Sequence, residues 1–198
     1  MRRPSAAVLV ATAALLASGC SGDRARPDDS LPPLPSTSAT ASPTEPEDAP
    51  GAEGYPLPEE ARAYTPEGAR AFFDYFIAVH NASVLASDPA PLREITQGCE
   101  YCDDLTQRLA ETAAAGLTVV GGELVLTEVG DFVIVLLESG AEGAGVVFRL
   151  VQRPYQVFDT SGSLISDAAE LHGEGTVELA WLSDQRDWLV SVFSVDLQ

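Results

Sequence analysis

The apolar residues of this chain change their spacing at Gly116-Leu117, and that change restricts it to a small set of folds. Before it, Ala69, Phe72, Phe73, Phe76 and Val79 recur at intervals of three and four, the period of one face of a helix. The segment opens with Thr65-Pro66-Glu67. Threonine can cap, proline suits the first helical position, and an acid suits the positive end of the dipole. The spacing predicts a helix from there to about Ala86, before Asp88-Pro89. Residues 91–97 read as a short second helix. Residues 102–115 read as a third, with Leu105, Leu109 and Ala113 on one face and Gly116 behind it.

After the change come short runs rich in Val, Leu and aromatics, at 117–120, 123–129, 132–138, 146–158, 176–182 and 188–195. Gly121-Gly122, Gly130-Asp131, the stretch from Ser139 to Gly145, Asp159 to Gly162, and Ser183 to Asp187 separate them as turns. Helices first and strands after predict an α+β domain, with N-terminal helices packed on an antiparallel meander. Pro154 sits inside the long run 146–158, which predicts a bend or an edge position there.

The first 58 residues read differently. Arg2 and Arg3 precede an uncharged apolar stretch from Ala6 to Leu16. That is the layout of an export signal, and it is shorter than the roughly 20 apolar residues that a spanning helix needs. Leu16-Ala17-Ser18-Gly19-Cys20 follows. It resembles the lipobox of bacterial lipoproteins, with Ala17 where leucine is commonest. The resemblance implies a signal peptide over 1–19, cleavage before Cys20, and a diacylglycerol anchor on the Cys20 thiol. A two-chain lipid gives stable attachment, where one chain would be marginal. The expected location is the outer face of the cell membrane. Residues 20–58 then read as the lipidated cysteine and a disordered tether. They hold most of the chain's 14 prolines, with Ser, Thr, Asp and Glu filling much of the rest. Such a stretch cannot bury enough apolar surface to offset its ordering entropy. The folded domain is expected over 59–198.

Charge excludes some partners. The chain carries 30 acids against 11 basic residues, a formal net charge of −19, and no lysine. Nucleic acid and anionic lipid both call for a basic surface, so neither is expected as a partner.

With Cys20 assigned to the lipid, Cys99-Glu100-Tyr101-Cys102 remains. In an oxidising compartment this pair is expected to form a disulfide. It would be a local staple, because so short a loop gains little entropy. A zinc site needs about four ligands, and only His80 and His172 could supplement the pair, so no metal is expected. A redox-active CxxC at a helix N-terminus is the sharper rival. That arrangement belongs in a βαβ setting, whereas here helices precede the motif and strands follow it.

A first helix with an aromatic face, two shorter helices and a curved sheet ending in a Trp-bearing strand resemble the nuclear transport factor 2-like (SnoaL-like) cone. The run from Tyr55-Pro56-Leu57-Pro58 through Thr65-Pro66-Glu67-Gly68-Ala69, with Cys99, Cys102 and Trp188, resembles actinobacterial lipoproteins that carry an uncharacterised domain of this kind. The likeness covers about residues 55–197. It implies fold and location, and no activity.

In a cone the pocket lies between the first helix and the sheet, so Phe72, Phe76, His80 and Trp188 are the candidate lining. At about 100° per residue, His80 falls beside Phe73 at the edge of the core stripe, and Asp74 falls opposite it. Asp74 and His80 therefore make no dyad. No nucleophile elbow or phosphate-cradling loop is present, and no catalytic residue or cofactor is assigned. The leading expectation is a non-catalytic module that binds a small apolar ligand or an envelope protein. The alternatives are a SnoaL-like acid–base enzyme with His80 as base, acting on a small hydrophobic substrate, and a purely structural envelope component.

Overall fold

The computed structural model describes residues 55–198. The expected signal segment, the lipid-bearing Cys20 and the tether up to residue 54 lie outside the described residues. Tyr55 and Leu57, ahead of the domain start expected at 59, are partly buried against the core. A short 3-10 turn, Glu59–Arg62, leads into the first helix.

Three helices come first: α1 (Pro66–Ala86), α2 (Ala90–Ile95) and α3 (Glu100–Ala114). The Thr65 hydroxyl oxygen accepts the Gly68 N–H at 3.1 Å, closing the first turn of α1. Ser87 ends α1 in the left-handed region at φ 51°, and its N–H reaches back to the last carbonyls. Asp88 then accepts the Ala90 N–H at 2.9 Å and starts α2. Cys99 caps α3 through its sulfur, which accepts the Cys102 N–H at 3.2 Å.

Eight strands follow: β1 (Thr118–Gly121), β2 (Leu124–Val129), β3 (Val133–Leu136), β4 (Glu142–Gln152), β5 (Tyr155–Phe158), β6 (Leu164–Ala168), β7 (Leu171–Leu182) and β8 (Asp187–Leu197). They form two antiparallel sheets, not one meander. The larger runs β2-β4-β7-β8, with β3 also on β4; the smaller runs β1-β5-β6.

The run at 146–158, expected as one strand, is two strands in two sheets. It breaks at Arg153-Pro154, where proline has no N–H for a ladder. The pairing stays in one register across the break: Gly121 faces Tyr155 in the small sheet, and Leu124 faces Gln152 in the large one. Gly122 donates to the Pro154 carbonyl at 3.1 Å, and Arg153 donates to the Glu123 carbonyl at 2.9 Å. A single two-stranded ribbon is thus folded over a corner made of two glycines and a proline, and this corner curves the sheet.

The expected turn from Ser139 to Gly145 is also shorter than its composition suggests. The hairpin closes between Leu137 and Ala141, with Gly140 at φ 80°, and Glu142–Gly145 belongs to β4. Gly143 sits in a strand because a Cβ there would strike the Leu179 carbonyl and the Leu137 side chain. Close approach of neighbours is a standard reason for glycine inside a sheet.

Strand alternation supplies the core. Ala144, Val146, Phe148 and Leu150 of β4 point inward, as do Val177 and Leu179 of β7. On β8 the buried residues Val190 and Phe193 are three apart, out of step with a period of two. A bulge explains this: Leu179 faces Val190 while Glu178 faces Val192, so Ser191 is the extra residue. Its hydroxyl donates to the Glu178 carbonyl at 3.1 Å. Phe72, Phe73 and Phe76 of α1 pack on this face, with the Phe73 and Phe148 rings 5.1 Å apart. The fold is α+β, with N-terminal helices packed on curved antiparallel sheet.

Candidate functional site

The four expected pocket residues are buried in the core. Phe72 is 1% exposed, Phe76 0%, His80 3% and Trp188 0%. Trp188 stands across from Trp181 on the β7–β8 hairpin, with ring centroids 4.8 Å apart, and Tyr64 lies 5.5 Å from it. Its indole N–H donates to the Ala63 carbonyl at 3.2 Å. It therefore clamps the segment ahead of α1 onto the sheet. His80 instead meets Phe76, Tyr101 and Phe193. None of these four side chains lines the hollow over the outer face of the large sheet or the smaller ones beside Arg62, Tyr101, Tyr155 and Glu128.

The surroundings of His80 define its state. Its Nδ1 lies 3.3 Å from Asn81 Oδ1, and its Nε2 lies 3.2 Å from the Tyr101 hydroxyl. The Asn81 amide is oriented by the β2 backbone: its nitrogen donates to the Leu124 carbonyl at 2.9 Å, and its oxygen accepts the Leu124 N–H at 2.9 Å. An amide oxygen can only accept, so Nδ1 must carry the proton. Nε2 is then bare and accepts the tyrosine hydroxyl. Burial pushes the imidazole down from 6.5 to about 4, against the raising effect of the Asn81 hydrogen bond. Burial likewise pushes the Tyr101 phenol up, with Arg108 opposing. Both groups are neutral at pH 7, and the lone pair that a general base would use is already engaged. Asp74 is exposed and pairs with Arg70 at 3.0 Å on the far face of α1.

The cysteines form the expected disulfide, Cys99–Cys102, and both residues are 1% exposed. Thiol–disulfide exchange needs a thiolate to reach a sulfur, and the burial of this pair denies that access. Tyr101 lies between the two cysteines, so the staple at the head of α3 also aims the hydroxyl that His80 accepts. Among the described residues there is no cluster of His, Cys, Asp and Glu suited to hold a metal.

The outward face of the large sheet is the other candidate. A shallow open hollow of about 720 Å³ lies over β4, β7 and the end of β8, lined by Val147, Arg149, His172, Glu174, Thr176 and Asp196 among others. Arg149 bridges Glu128 at 2.9 Å and Glu174 at 3.1 Å. All three side chains are well exposed, so water screens these pairs.

Among the described residues, every large apolar side chain that is strongly exposed lies on a strand: Val120, Val125, Val133, Ile134, Val135, Leu136, Val147, Leu164, Ile165 and Val192. The densest group is β3, whose four residues are all exposed. The strand expected at 132–138 carries this exposed apolar surface, which its spacing alone does not assign. Its signal was legible in hindsight: four consecutive apolar residues cannot all face one core from a strand of period two.

No protein-family model matches the sequence, and no curated protein does. Among solved structures, the chain is similar to the intermembrane space region of the chloroplast protein ARC6, over 69% of this chain and 99% of that one, at 17% identity and a TM-score of 0.46. ActVI-ORFA from Streptomyces coelicolor is similar over 67% and 97%, at 9% identity and a TM-score of 0.40. A periplasmic fragment of TraM is similar over 69% and 100%, at 13% identity and a TM-score of 0.38. No residue role is carried over from any of them.

Proposed function

We propose that this chain is an actinobacterial lipoprotein, held on the outer face of the membrane through diacylglycerol on Cys20, whose domain is a non-catalytic module that binds another envelope protein through its sheet. The observation that carries the binding part is the distribution of apolar surface. His80 is buried and both of its ring nitrogens are paired, while the exposed valines, leucines and isoleucines gather on strands. Exposed apolar patches of that kind mark interaction surfaces. The enzyme reading needs Nε2 of His80 free to take a proton from a substrate, and Tyr101 occupies it. The anchoring part rests on the run from Arg2 to Cys20.

Two measurements test this. Membrane fractionation of the chain and of its Cys20→Ala variant is expected to move the protein from the membrane to the soluble fraction; unchanged retention refutes the anchor. Native mass spectrometry of the purified protein is expected to give the mass of the chain and its lipid alone. A co-purified small apolar molecule would overturn the sheet-surface reading in favour of a ligand carrier.

A further inference from the structure

Resting on that reading, we infer that the outer edge of β3 is a strand-addition site for an extended apolar segment of a partner protein flanked by lysine or arginine.

The backbone comes first. Leu137 donates to the Ala141 carbonyl at 2.9 Å, and its own carbonyl accepts from Gly140 at 2.8 Å. Residue 137 therefore turns both groups toward β4. Antiparallel pairing alternates, so Val135 and Val133 do the same, opposite Gly143 and Gly145. Ile134 and Leu136 must then turn their N–H and C=O groups the other way. Among the described residues β3 has no strand on that side, and no side chain bonds to either amide. A row of unpaired amides on an edge is a template for another strand.

The neighbouring edge is treated differently. β2 lies on the same side of β4, and its start is closed by the paired hydrogen bonds between Asn81 and the Leu124 backbone. One edge is thus occupied by a side chain that imitates a strand, while the next stays open. The open one is also apolar on both faces, with Val133 58% exposed and Leu136 74%.

Charge selects the occupant. From Glu123 to Glu142 the chain carries acids at 123, 128, 131, 138 and 142 and no basic residue. Asp131 and Glu138 bracket β3 directly, and both are exposed. A second copy would fit poorly. In the two-fold register centred on Val135, Ile134 of each copy pairs with Leu136 of the other, and Asp131 of one copy and Glu138 of the other fall one position apart at each end, on opposite faces of the ribbon. Acids gathered at both ends of the ribbon oppose self-pairing through their like charge, and flanking acids are a familiar guard against self-association. A strand with basic ends meets the same two acids favourably.

The full chain can be titrated with the labelled peptide acetyl-Lys-Lys-Val-Thr-Val-Thr-Val-Lys-Lys-amide, and with an analogue carrying glutamate in place of every lysine. Hydrogen exchange of the complex locates the contact. The lysine peptide is expected to bind and to slow exchange at Ile134 and Leu136, and the glutamate analogue to bind roughly tenfold more weakly or worse at low salt. Leu136→Pro removes an outward N–H and leaves the β4 ladder whole, so it is expected to abolish binding with the fold retained. The double variant Asp131→Lys, Glu138→Lys, which leaves the backbone untouched, is expected to reverse the preference between the two peptides.

Equal affinity for both peptides, or binding of neither, overturns the inference. So does protection that falls on Thr176 and Ser194 of the outer face, although the partner-binding reading then stands. Protection of 133–136 that grows with protein concentration in the absence of peptide would instead assign the edge to a second copy, and also overturns it. The carrier outcome in native mass spectrometry is a separate result, which removes the reading itself.

Discussion

The Nε2 of His80 accepts the hydroxyl of Tyr101 across 3.2 Å, and that one contact joins the aromatic face of α1 to the disulfide-closed head of α3. Through Asn81 the same chain of hydrogen bonds continues to the backbone of β2. A histidine that could be read as a base is the middle member of a structural network.

The first prediction concerns pH. Burial lowers the folded pKa of His80 to about 4 from 6.5, so the unfolded chain binds more protons between those values. Stability is therefore full above about 6.5 and falls as the pH drops toward 4, by about 3 kcal/mol for this group alone. Urea unfolding across pH 7.5 to 4.5 should show this slope, and His80→Phe should flatten it. Asp159 is held below its usual range by hydrogen bonds from Ser161 and Ser163. Its contribution, present above that range, is lost at more acid pH and is distinct from the histidine's.

Removing either neighbour of His80 should cost stability to different extents. Tyr101→Phe deletes one hydroxyl and leaves Nε2 without a donor, a loss of about 1–2 kcal/mol. Asn81→Leu strips two hydrogen bonds from Leu124 and orphans the His80 Nδ1–H, a loss of about 3 kcal/mol or more. Denaturant midpoints of the two variants would rank them; the reverse order would contradict the network drawn here.

The disulfide should be inert in the folded state and modest in energy. With both sulfurs enclosed, a maleimide is expected to label the cysteines only after unfolding in the presence of reductant. The Cys99→Ser, Cys102→Ser double variant should lose about 2 kcal/mol, the scale set by so short a loop. Rapid labelling of the folded protein in the presence of reductant would show that the pair is accessible.

Adjacent residues on β4 should behave oppositely. Phe148 is 1% exposed, between the rings of Phe73 and Phe193, so Phe148→Ala should cost about 3–5 kcal/mol. Arg149, one residue on, points to water, and its ion pairs are screened. Arg149→Ala should leave the thermal midpoint unchanged within error, as calorimetry can check.

Much of the fold was legible because its signals are local. Thr65-Pro66 starts α1 as its cap chemistry implies, and the three-and-four spacing of Phe72, Phe73, Phe76 and Val79 faces the core. Pro154 marked a real break, since a missing N–H is visible in one residue. Two glycine-bearing stretches misled: Gly143 and Gly145 sit in β4, and Gly173 and Gly175 in a β7 that starts at Leu171, earlier than the run expected at 176. In both places glycine serves the close approach of a distant strand, which no local window contains. β6 was missed altogether, because Leu164–Ala168 is short, exposed and without an alternation of apolar and polar residues.

The sequence by itself determined the order of helices and strands, the faces they bury, and the pairing available to Cys99 and Cys102. These depend on residues within a few positions of one another. The tertiary structure decided which sheet each strand joined, that His80 is neutral and occupied, and that β3 has a neighbouring strand on one side only among the described residues. Those outcomes turn on partners 21 residues away for His80 and Tyr101, and 43 for Asn81 and Leu124. Hydrogen bonds need groups placed within about 3 Å, and over such separations only the packed chain can place them.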